Sequence, residues 1–125
     1  MGDDLVAPSL FYADFPLWTL LDVTLPTKDG VFGQIPRING REGKERFLVI
    51  FTDSDLAAQF ALDLGRPDVR PLALRFPKDA ITAAEHFKKH GVEHVAIDFS
   101  FHPPGIQIRE TIDEFIDSIR RSNPE

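Results

Sequence analysis

Between residues 46 and 119 the chain alternates apolar runs of strand length with amphipathic runs of helical spacing. Phe47-Leu48-Val49-Ile50-Phe51 is apolar at every position, as expected of a central strand covered on both faces. Thr52 or Asp53 can then cap a helix, and Ser54 and Asp55 suit its first turn. Leu56, Ala57, Phe60, Ala61 and Leu64 form one apolar face, and Gly65 and Pro67 end the run. Residues 69–76 resume a strand, with Leu72, Leu74 and Phe76 on one side. Pro77 and Asp79 open a second helix carrying Ala80, Ala83, Ala84 and Phe87, which stops at Gly91. A strand follows over 94–102. The last helix is the clearest: Thr111-x-x-Glu114 is a capping-box pattern, and Ile112, Phe115, Ile116 and Ile119 share one face. Arg120 and Arg121 stand at its C-terminal end, where cations suit the helix dipole.

The first part of the chain is less regular. In residues 1–16 Pro8 and Pro16 interrupt a near-helical spacing of Leu10, Phe11, Phe15 and Trp18, so this segment reads either way. Residues 17–25 are rich in strand formers and stop at Pro26. Asp29-Gly30 is a turn signal, residues 31–38 read as a returning strand, and Asn39-Gly40 starts a longer polar turn. Pro36 would place that returning strand at an edge or a bulge. The expectation is a β-meander over 17–52 followed by alternating helix and strand over 53–119. Together they predict one domain, α/β (or α+β), with a mixed sheet of five or more strands and about three packed helices.

The chain has 125 residues, enough for one domain with one continuous core. A 42% apolar share with eleven phenylalanines fits a folded globule. The formal charge of −6 disfavours general attraction to nucleic acid or anionic lipid. No cysteine is present, which excludes disulfides and thiolate chemistry and accords with a reducing compartment. The start, Met1-Gly2-Asp3-Asp4, is acidic where a secretory signal would be basic, and no apolar run reaches the ~20 residues that span a bilayer. A cytoplasmic location is the expectation.

Candidate chemistry is sparse. Asp98, Ser100 and His102 alternate with Ile97, Phe99 and Phe101, so a continuous strand puts all three polar groups on one face. Their types suggest an acyl-transfer triad, but groups two apart on one strand stand roughly 6–7 Å apart and point in parallel. A solvated or interface-facing sheet surface explains them better. His86 and His90 have the i, i+4 spacing of a zinc helix, with His94 just beyond, but Phe87-Lys88-Lys89 supplies no glutamate and adds positive charge. Arg37, Arg41, Lys44 and Arg46 gather in one polar turn, where Glu42 and Glu45 dilute them. Neither a metal, a cofactor nor nucleic acid is expected. Phe11, Tyr12, Phe15 and Trp18 are dense enough to serve both the core and an apolar contact surface.

Val49-Ile50-Phe51-Thr52-Asp53-Ser54-Asp55-Leu56-Ala57, then Gly91-Val92 leading into Val95-Ala96-Ile97-Asp98-Phe99, a Pro-Gly turn and Ile106-Gln107-Ile108, resemble the SseB-like N-terminal domain family of bacterial proteins. The resemblance covers most of residues 17–119 and rests on fold-carrying motifs. It departs where family members often show an Asn-Pro pair and this chain has Asp98-Phe99-Ser100. It brings no catalytic residues. The expected function is a non-catalytic, protein-binding or regulatory module, able to homodimerise, whose contact residues are Phe11, Tyr12, Phe15, Trp18, Asp98, Ser100 and His102. Two alternatives stand beside it: a small hydrolase or transferase using Asp98 and His102 as acid and base, and an acidic secretion-type chaperone, whose usual order of elements differs.

Overall fold

The computed structural model of the chain describes residues 13–28, 30–39, 46–101, 104–105 and 108–123. In chain order the elements are β1 (Leu17–Asp22), a 3-10 turn (Val31–Gln34), β2 (Ile38–Asn39), β3 (Arg46–Ile50), α1 (Ser54–Leu64), β4 (Val69–Leu74), α2 (Pro77–Lys89), β5 (His94–Ile97), β6 (Ser100–Phe101), β7 (Pro104–Gly105), β8 (Ile108–Thr111) and α3 (Ile112–Ser122).

The apolar run at 47–51 organises the molecule, because each face of β3 is covered by helix. Leu48 and Ile50 join Val95, Ile97, Phe87, Phe115 and Ile119 beneath α2 and α3. Phe47, Val49 and Phe51 join Ala57, Phe60, Leu20 and Val69 beneath α1. Leu48, Val49, Ile50 and Phe51 are all fully buried. Burial of each such side chain stabilises by about 1.5–3 kcal/mol before conformational entropy is set against it.

One mixed ladder runs β2-β3-β5-β8, with β3 and β5 parallel and both outer pairs antiparallel. A second ladder pairs β1 with β4, antiparallel, from Leu17 opposite Leu74 to Asp22 opposite Val69. The two meet at Trp18 and Phe51, which exchange both backbone hydrogen bonds at 2.8 and 2.7 Å. Ile50 meanwhile accepts from the Asp98 N–H at 2.8 Å on the opposite edge of β3. The α/β class with mixed strand directions and three helices is as expected, but the sheet of five or more strands is split in two, β4-β1 and β2-β3-β5-β8, joined at the Trp18–Phe51 bridge.

Several local expectations fail. The 17–52 segment is not a meander: β1 takes β4 as its partner, and the Asp29-Gly30 hairpin is replaced by the 3-10 turn at Val31–Gln34. The strand expected over 94–102 ends at Ile97, because Asp98 adopts a left-handed backbone with φ 57°. Ser100–Phe101 instead pairs with Pro104–Gly105 in a separate ribbon. Leu56, expected on the apolar face of α1, is exposed. The helix signals hold. The Asp53 side chain accepts from the Asp55 N–H, Gly65 takes the left-handed C-terminal position at φ 68°, and Thr111 and Glu114 close a reciprocal capping box.

Candidate functional site

Strand polarity gathers several of the expected contact residues at one end of the sheet. β1 runs antiparallel to β4 and, through the Trp18–Phe51 bridge, to β3, while β5 is parallel to β3. The entry to β1 therefore lies with the exits of β3, β4 and β5. In sheets with parallel strands, the carboxyl ends are where ligands and partners are usually met.

At this end Phe76 stands 57% exposed, an unusual position for so large an apolar side chain. It is the N-cap residue of α2, and Pro77 fills the first helical position. Phe15 and Phe76 flank the same terminal strand pair, Leu17 and Leu74. Phe15 is half-buried and packs on the α2/α3 core. Trp18 is also half-buried, but against the α1 core, where it contributes to packing.

Asp98 lies between the exits of β3 and β5. Its Oδ1 accepts from the Thr52 N–H at 2.9 Å, and its Oδ2 accepts from the Thr52 hydroxyl at 2.8 Å. Both carboxylate oxygens thus tie the two parallel strands together. The continuous strand that would carry the expected polar row ends at Ile97, and the backbone turns at Asp98. Ser100 falls in β6 with its side chain undescribed; Phe11, Tyr12, His102, Arg41 and Lys44 lie outside the described residues. The histidines are also placed by packing. His90 Nδ1 bonds the His86 carbonyl at 2.9 Å, and the His94 ring lies 6.2 Å from that of Phe47. Among the described residues no three His, Asp or Glu side chains are grouped to hold a metal ion.

Two buried carboxylates escape a reading of the sequence. Glu110 on β8 is 1% exposed; its Oε2 accepts from the Ser118 hydroxyl at 2.8 Å, and its Oε1 has no hydrogen-bond partner. Asp22, also 1% exposed, closes β1. Its Oδ1 accepts from the Thr24 N–H at 2.9 Å and from the Thr24 hydroxyl, and its Oδ2 accepts from Arg66. Burial pushes the Asp22 pKa up, but the Thr24 hydrogen bonds and the Arg66 charge outweigh it and hold the carboxyl below its ordinary value. The only hint in the sequence is an acidic residue ending an otherwise apolar run; Arg66 is far away along the chain. Phe76 could have been found from Pro77, which makes the preceding residue a helix cap rather than part of the strand.

No family model matches the chain, and no curated protein matches it significantly. Among the described residues no helix is long and apolar enough to cross a membrane.

Proposed function

We propose that the chain is a non-catalytic binding or regulatory module that engages a protein partner through the sheet end bearing Phe15, Phe76 and the Thr52–Asp98 pair. The observation that carries this reading is the large exposed ring of Phe76 at the end where three strand exits converge. Aromatic side chains of this kind, set in a polar rim, anchor protein interfaces. Thr52 and Asp53, exposed at the exit of β3 at the same end of the sheet, supply such a rim. Phe11, Tyr12 and His102, which lie outside the described residues, and Ser100 stay in the proposed contact set on their sequence positions alone. SseB-like membership, on the strand-to-helix junction at 49–57, and a cytoplasmic location, on the acidic, cysteine-free composition, belong to the same proposal.

A hydrolase or transferase working through Asp98 and His102 is less well supported, because Thr52 occupies both Asp98 oxygens.

The test is affinity capture from the native cell with quantitative mass spectrometry, comparing the wild type with Phe76→Ser and Phe11→Ser/Phe76→Ser. Capture of the same partner should fall about tenfold in Phe76→Ser, as for an interface anchor. The melting temperature should scarcely move, since exposed substitutions usually stay within about 0.5 kcal/mol. Undiminished capture by a folded double variant refutes the surface. Trp18→Ser is a poor variant because it opens the α1 core.

A further inference from the structure

At the opposite end of the sheet, where β1 ends, a cleft of about 360 Å³ opens between Asp22–Leu25, the Gly33–Arg37 segment, Arg66 and the C-terminal half of α2. We propose that this cleft binds a small phosphomonoester carrying an apolar group.

The argument starts with Arg66. The Asp22 carboxylate is held on one side by Thr24 and grips the Arg66 guanidinium on the other. The guanidinium therefore has a fixed position, although half of the side chain is exposed. A guanidinium carries five N–H donors in a rigid fork. Asp22 is the sole described acceptor for them, so the remaining donors are available at the cleft. Such preorganisation lowers the entropy lost when an anion binds.

Arg37 also lines the cleft and brings a second positive charge to it. It is exposed and makes no ion pair with any described residue. Two arginines against one aspartate leave the cleft with a local charge of about +1 in a chain of net −6, with His86 also on its lining. A favourable local field in an acidic protein selects an anion. Arg forks match phosphate and carboxylate oxygens pairwise. A carboxylate would have to share its two oxygens between the forks and brings one negative charge, whereas the three terminal oxygens of a phosphomonoester can engage both forks without sharing and carry a charge of about −2 at neutral pH.

Leu25, half-buried and backed by the buried Ile35, Pro36 and Phe87, gives the cleft an apolar floor. Gln34 holds the 31–37 segment in place by donating to the Leu25 carbonyl at 3.1 Å. The volume lies within the roughly 300–1,000 Å³ of small-ligand clefts. Two positive charges and an apolar floor together describe a phosphate on a hydrophobic stem.

The experiment titrates the full chain, ¹⁵N-labelled, with phenyl phosphate, inorganic phosphate and benzoate at about pH 7.5, where a phosphomonoester is mostly dianionic. Phenyl phosphate should bind saturably below about 1 mM, with shifts at the Leu25, Gly33 and Phe87 amides. Arg37→Ala, on the surface, should weaken binding about tenfold, in keeping with the loss of one charged fork, and leave the melting temperature unchanged. Arg66→Lys, which keeps the charge that Asp22 needs but removes the fork, should also weaken it. No saturation, or unchanged affinity in Arg37→Ala, overturns the site. Benzoate binding as tightly as phenyl phosphate overturns the phosphate class, and inorganic phosphate doing so overturns the apolar floor.

Discussion

Asp98 shows how one residue can carry a structural role in place of the chemical one its type suggests. Its left-handed backbone would cost most L-residues about 1–2 kcal/mol, but aspartate is among the few that visit this region readily. The turn aims the carboxylate back at Thr52, where it accepts one backbone and one side-chain hydrogen bond. Substitutions separate the two contributions. Asp98→Asn keeps the tolerance for positive φ and one acceptor, so it should lose under about 1 kcal/mol. Asp98→Gly keeps the backbone and loses both hydrogen bonds, each contributing about 0.5–1.5 kcal/mol net. Asp98→Ala loses the bonds and adds the strain, so its cost should be the largest, about 2–5 kcal/mol. Urea unfolding measures the order. An Asp98→Gly variant as stable as the wild type would show that the Thr52 contacts contribute nothing.

At the scale of elements, the boundaries that depend on neighbours in sequence were legible and those that depend on distant partners were not. The Thr111–Glu114 capping box closes within one helical turn, with contacts at 2.8 and 3.1 Å. Thr111→Ala should therefore cost about 1 kcal/mol, with Thr111→Ser restoring most of it. An unchanged midpoint in a denaturation series of Thr111→Ala would contradict that role for the cap. Strand pairing is different, because an apolar run specifies which face is buried but not which strand lies alongside. β1 could be recognised as a strand, yet its partner β4 lies far along the chain. The 31–38 run misled for a local reason. Phe32 and Ile35 have helical rather than alternating spacing, and Gly33 and Pro36 limit the helix to a single 3-10 turn. The candidate site divides the same way. Asp98 was legible as a residue, though not its turn away from β5. The Asp22–Arg66 pair and the exposure of Phe76 appear only once the strands are assembled.

At the scale of the molecule, the two helical layers share their strands. Leu48 and Ile50 serve the α2/α3 side, and Phe47, Val49 and Phe51 serve the α1 side. Neither layer can lose its packing without disturbing the strand that supports the other, so the chain should unfold in one step. Trp18, the only tryptophan, makes this testable because it packs in the α1 layer. Phe115, fully buried, belongs to the opposite layer. Phe115→Ala removes a large core side chain and should cost about 3–5 kcal/mol, a major part of the roughly 5–15 kcal/mol that stabilises a domain. If the shared sheet couples the layers, the Trp18 fluorescence midpoint in urea should fall as far as the far-ultraviolet dichroism midpoint, and the two curves should coincide. A fluorescence transition left in place while dichroism shifts would show that the α1 layer folds independently. That outcome would also remove the physical link, through β1 and β3, between the proposed partner surface at one end of the sheet and the anion cleft at the other.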